Sequence, residues 1–152
     1  MSNNLFNNDF LEFLELLVKQ EVDFLLVGGY AVILHGYVRS TGDLDLWIDR
    51  TPKNYSKLKK VYADFGAPIF PSEEFQNDKF DVWGIGIEPS KIELLTNVDG
   101  LIFSESSKHC NWLQLDNFKV PYIDFEDLIK NKKTTGRYKD MADIEQLKKN
   151  KK

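Results

Sequence analysis

VGGYAVILHGYVRSTGDLDLWID, residues 27–49, joins a glycine pair to a segment carrying two closely spaced carboxylates. The apolar run Val22 to Val27 before it reads as a buried strand. Gly28 and Gly29 then allow a tight turn whose backbone can approach a ligand closely. A helix beginning at Gly29 points its first N–H groups at that ligand, and those groups together with the helix dipole favour an anion such as phosphate. In Asp43 to Asp49, strict alternation puts Asp43 and Asp45 on one face of a strand and Leu44, Leu46 and Ile48 on the other. Two neighbouring like charges are costly unless a cation lies between them, and hard oxygen ligands at this spacing suit magnesium. Taken singly, a glycine pair is an ordinary turn and an Asp-x-Asp strand an ordinary half-exposed edge. In this order they point to phosphoryl or nucleotidyl transfer.

Working outward, Phe6 to Gln20 places Phe6, Phe10, Phe13, Leu14 and Leu17 at helical spacing and predicts an amphipathic helix packed on the sheet. Tyr30 to about Tyr37 reads as a helix buried on nearly all sides, with His35 a core histidine bonded to backbone rather than a catalytic group. Arg39, Ser40, Thr41 and Gly42 form a polar loop beside the phosphate position. Arg39 reads equally as a phosphate ligand or as an ion pair offsetting Asp43 and Asp45. Thr51, Pro52 and Gly66 bound a helix over Lys53 to Phe65. Pro68 to Lys79 reads as a mobile loop flanking the cleft. Phe80 to Glu88 and Lys91 to Thr96 read as strands joined by a Glu88-Pro89-Ser90 turn. Glu93, charged between Ile92 and Leu94, needs a partner that a metal on Asp43 and Asp45 would supply. Asn97 to His109 reads as a turn and short helix, and Trp112 to Leu115 with Lys119 to Ile123 as a last strand pair, Trp112 and Phe118 being packing residues. Asp124 caps a further helix with Asp127 in the capping-box position. A final helix starts near Arg137, and Lys148 to Lys152 reads as a frayed end.

A chain of 152 residues, 42% of them hydrophobic, fits one domain spanning residues 1–152 with a real core. No stretch reaches the roughly 20 apolar residues of a membrane helix, and Met1 to Asn4 lack the pattern of a signal peptide, so a cytoplasmic protein is expected. Cys110 has no disulfide partner, and with only His35 and His109 there is no zinc-ligand spacing. Residues 124–152 hold nine Lys/Arg against six Asp/Glu, which leaves the preceding body at −7 of a total −4. So acidic a body argues against sequence-independent binding of long nucleic acid.

The Gly28-Gly29 turn, Arg39-Ser40-Thr41 and the Asp43-x-Asp45 strand resemble the nucleotidyltransferase superfamily whose catalytic core is shared with DNA polymerase β. Within it they are most similar to small bacterial enzymes grouped with abortive-infection nucleotidyltransferase toxins. PYIDFEDLIKNKKTTGRYKDMADIEQL, residues 121–147, resembles the same branch in residue types and spacing. The resemblance implies an α/β (α+β) fold with a small mixed sheet, helices packed on it and a helical C-terminus closing over the nucleotide. It also implies a nucleoside triphosphate as substrate, Mg²⁺ or Mn²⁺ as cofactor, and Gly28, Gly29, Arg39, Thr41 and Lys132 as phosphate contacts. Arg137, Lys139, Asp140 and Asp143 would line or brace the site, bracing being the favoured role, while on their own they read as helix-end ion pairs worth little individually. A third carboxylate completes the metal set; Glu93 stands there in place of the usual Asp, one methylene longer, with Asp81 as fallback. The implied setting is a toxin–antitoxin pair with tRNA or protein as acceptor. Two competing expectations are a nucleotide-binding module of this fold without turnover, and an assembly partner presenting an apolar face around Trp83 or Trp112.

Overall fold

The computed structural model describes residues 5–151, so the reading of Met1 to Asn4 lies outside the described residues. In chain order the elements are α1 (Asn8–Lys19), β1 (Phe24–Val27), α2 (Gly28–Leu34), β2 (Asp43–Ile48), α3 (Pro52–Phe65), α4 (Ser72–Phe75), β3 (Val82–Ile85), β4 (Lys91–Leu95), α5 (Phe103–Ser106), β5 (Asn111–Gln114), β6 (Lys119–Tyr122), α6 (Phe125–Thr135) and α7 (Tyr138–Asn150). The six strands form one mixed sheet in the order β3-β4-β2-β1-β6-β5, with β2 antiparallel to β1 and parallel to β4.

Both faces of this sheet are covered, which is why its central strand β1 is buried throughout. On one face Leu44, Leu46, Ile92 and Leu94 pack with Phe10, Phe13 and Leu17 of α1 and Leu58 and Val61 of α3. On the other, Leu25, Val27 and Trp47 meet Ala31 and Val32 of α2, Leu128 and Ile129 of α6, and Ile144 and Leu147 of α7. The alternation of β2 therefore sends Asp43 and Asp45 to the side that α6 and α7 cover.

Local chemistry sets the ends of the elements. Thr51 accepts from the Asn54 N–H with Pro52 at the first position of α3, and Gly66 ends that helix at φ +92. His35 closes α2 with its Nε2 2.7 Å from the Ile123 carbonyl, the backbone-bonded role expected of it.

Five expectations need correction. Pro68 to Lys79 is not an irregular mobile loop: it contains α4, whose Phe75 is fully buried beside Tyr55, Phe70 and Trp83. Trp83 stacks on Phe70 at 4.3 Å and donates to Glu74, so it lends little to an exposed apolar face. Trp112 is 54% exposed, with the Lys119 ammonium over its ring, because β5 is an edge strand with no layer outside it. Asp124 caps α6 through the Glu126 N–H, while Asp127 binds His109 instead of closing a capping box. The Lys-rich end continues α7 to Asn150, whose amide donates to the Gly36 carbonyl, and Lys151 lies over Phe125; Lys152 lies outside the described residues. No helix among the described residues is long and apolar enough to cross a membrane.

Candidate active site

Three carboxylates meet on the covered side of the sheet. Asp43 and Asp45 rise from β2 and Glu93 from β4; the parallel register sets Asp45 opposite Glu93, so the side chains share a face. One oxygen from each lies within 4.8 Å of the others. The Oδ1 atoms of Asp43 and Asp45 are buried and have no hydrogen-bond partner among the described residues. Buried carboxylate oxygens left this way are costly unless a cation satisfies them. Burial, and next the neighbouring charges of Glu93 and Asp43, push Asp45 up to about 7. Three hard oxygen donors converging on one point fit a divalent ion such as Mg²⁺ or Mn²⁺. Asp81 lines the adjoining cleft but stands outside this group.

Gly28 and Gly29 open α2 directly against these groups. Gly28 has φ +71, and a Cβ there would collide with the Asp45 carboxylate; a Cβ on Gly29 would collide with the Thr41 side chain. The glycines therefore let Asp45 and Thr41 close onto the turn, a demand additional to the ligand approach expected from the sequence. That second demand depends on a strand 15 residues away and leaves no mark in the local sequence.

Above the carboxylates lies a wall of alternating charge. Arg39 sends Nε and Nη2 to the two oxygens of Asp143, each at 3.2 Å. Its ion-pair partner is therefore on α7, not Asp43 or Asp45. Lys132, only 5% exposed, places its ammonium 2.8 Å from Asp143 and 3.3 Å from Asp140. Asp140 also accepts from Thr135 at 2.6 Å and from the Arg137 Nε at 2.7 Å. Burial alone would raise the Asp140 carboxyl, but the bonds from Arg137 and Thr135 and the charge of Lys132 outweigh it and hold the group far below the usual carboxylate range. Lys139 is exposed on the same wall, and its charge opposes the rise at Asp45.

These groups border a cleft of about 640 Å³. Gly28, Gly29, Arg39, Asp45, Lys132, Arg137, Lys139 and Asp140 line it; Asp43 and Glu93 adjoin Asp45, Thr41 rests on Gly29, and Asp143 bridges Arg39 and Lys132. Across the cleft stand Asn97, Val98 and Asp99, with the Asn131 amide bonded to the Asp99 carbonyl. Sequence reading missed this side, because loop residues contribute through position and carry no pattern. It also missed Lys91, whose ammonium lies 3.0 Å from Glu93.

The mixed sheet carries carboxylates on two adjacent strands, a glycine turn beside them and a helical C-terminal hairpin over them, and at the level of fold this arrangement is shared with a nucleotidyltransferase of solved structure. Among solved structures, the lincosamide antibiotic adenylyltransferase LnuA, in its lincomycin-bound form, is similar along nearly the whole chain. Its TM-score is 0.61 at 20% sequence identity, covering 94% of this chain and 96% of that one. No family model and no curated protein matches the sequence.

Proposed function

We propose that this protein is a metal-dependent nucleotidyltransferase that moves a nucleoside monophosphate from a nucleoside triphosphate to an acceptor hydroxyl or phosphate. The observation that carries the reading is the pair of buried, unpartnered oxygens on Asp43 and Asp45, beside Glu93 and the Gly28-Gly29 turn. Asp43, Asp45 and Glu93 would hold Mg²⁺ or Mn²⁺, which when bound supplies positive charge to the phosphate oxygens. The Gly28 and Gly29 backbone and the Thr41 hydroxyl would contact the phosphates. Arg39, Lys132, Arg137 and Lys139 outnumber Asp140 and Asp143 on the facing wall and leave it net positive. In the reaction the acceptor oxygen bonds to the α-phosphorus, the bond to the bridging oxygen breaks, and pyrophosphate leaves. The acceptor proton passes to Glu93 or to solvent.

The resemblance to abortive-infection enzymes favours tRNA or protein as acceptor, with a cytoplasmic toxin–antitoxin setting and an antitoxin partner. The likeness to a lincosamide adenylyltransferase favours a small-molecule hydroxyl. A second reading, a nucleotide-binding module without turnover, is favoured by one observation: the Lys91 ammonium already occupies an oxygen of Glu93. The test is transfer of label from each α-phosphate-labelled nucleoside triphosphate, with Mg²⁺, into RNA, protein or small molecules, comparing wild type with Asp43→Ala/Asp45→Ala. Label in one fraction with wild type alone establishes the enzyme and its acceptor class. Metal-dependent nucleotide binding without transfer to any fraction establishes the module.

A further inference from the structure

Lys91 and Glu93 are two residues apart on β4 and so share a face, and the register sets Asp43 opposite Lys91 and Asp45 opposite Glu93. Two neighbouring rungs of the sheet thus carry three carboxylates and one ammonium. The Lys91 Nζ lies 3.0 Å from Glu93 Oε2, and Asp43 and Glu88 are close enough to act on the same ammonium. Most lysine–glutamate pairs on a strand are solvated and contribute little. This one differs in its neighbours, since it adjoins the buried Oδ1 atoms of Asp43 and Asp45, which have no hydrogen-bond partner among the described residues. Glu93 Oε2 has a cationic partner within the chain, whereas the Oδ1 atoms of Asp43 and Asp45 have no hydrogen-bond partner among the described residues. Three carboxylates against Lys91 leave a net charge of −2, which one divalent ion neutralises.

We propose that Lys91 is a built-in second cation: the site takes a single divalent ion among Asp43, Asp45 and Glu93, and the Lys91 ammonium holds Glu93 Oε2 where a second ion would otherwise bind. Lys91 is thereby a positioning residue for the third carboxylate. The inference rests on the nucleotidyltransferase reading of the site and concerns its metal count, which that reading leaves open.

The test is a Mn²⁺ titration of the metal-free protein without nucleotide at pH 8, counting bound ions by the electron paramagnetic resonance signal of the unbound ion. Wild type binds one Mn²⁺, Lys91→Met binds two, and Lys91→Arg, which keeps the charge, binds one. Thermal melts verify folding, and Lys91→Gln carries the same expectation should the Met variant not fold. Two ions in wild type, or one in a folded neutral variant, overturn the role of Lys91 and leave the nucleotidyltransferase reading standing. No bound Mn²⁺ in wild type overturns both.

Discussion

Burial of Asp45 and the charges of Glu93 and Asp43 hold its carboxyl up at about 7, against 3.8 for an ordinary aspartate, so near neutral pH a proton competes with a cation for this group. Between those two values the folded chain keeps a proton that the unfolded chain has lost. Metal-free stability therefore falls as pH rises from about 4 to about 7, and the cost, about 2–4 kcal/mol, is complete above 7. Asp45→Asn removes it: in chelator the variant melts above wild type at pH 8 and level with it at pH 4 by calorimetry. Over the same range Mn²⁺ binding to wild type weakens about tenfold for each pH unit below 7, measurable by isothermal titration. Gly28→Ala meets both a positive φ and the Asp45 carboxylate, whereas Gly66→Ala meets a positive φ with nothing within 4 Å. The second measures the backbone alone, about 1 kcal/mol in a denaturant melt. The first costs more and lowers Mn²⁺ affinity at least tenfold, because Asp45 has to move. Asp43 and Asp45 were legible in the sequence because a two-residue period fixes a shared face. That Gly28 exists for Asp45 was not, since only the folded pairing of β1 with β2 brings them together.

At the scale of elements, capping chemistry was readable wherever it is local: Thr51, Pro52 and Gly66 bound α3 as their residue types demand. It failed where a neighbouring element supplied a stronger partner, as when His109 drew Asp127 out of a capping box. α4 was missed because four residues give no period, and what holds it is the aromatic cluster around Phe75. The same limit governs the charged wall. Arg39, Lys132, Asp140 and Asp143 were visible as residue types, but their pairing joins the loop after α2 to α6 and α7. Asp143 is the hub, accepting from Arg39 and Lys132 while its side chain is 4% exposed. Removing this buried partner strips Arg39 of its ion pair and leaves Lys132 with Asp140 alone, so Asp143→Ala lowers stability by about 3 kcal/mol in a denaturant melt. Amide exchange in residues 36–42 accelerates in the variant, because that loop loses its bidentate anchor. In the double-mutant cycle with Arg39→Ala, the two effects fall short of their sum.

Across the whole molecule the candidate site is divided between two supports. The carboxylates stand on β2 and β4, inside a sheet filled on its far face by α1 and α3, while the cationic wall stands on α6 and α7, docked on the near face by Leu128, Ile129, Ile144 and Leu147. Burial of those four residues is what brings the wall over the carboxylates. Loosening the hairpin should therefore separate two properties that a single rigid site would lose together. Leu147 is fully buried, and Leu147→Ala leaves a cavity that costs about 2–5 kcal/mol. Because the void lies under α7 and not between β2 and β4, the folded variant keeps its Mn²⁺ affinity within about twofold. Its affinity for a non-hydrolysable nucleoside triphosphate falls at least fivefold, because Lys139 and the Lys132–Asp140 pair are no longer held over the Gly28-Gly29 turn. Calorimetric titration of Mn²⁺ and then of the nucleotide, below the melting temperature of the variant, measures both. Equal losses would mean that sheet and hairpin act as one support, and an unchanged nucleotide affinity would remove the hairpin from the phosphate site.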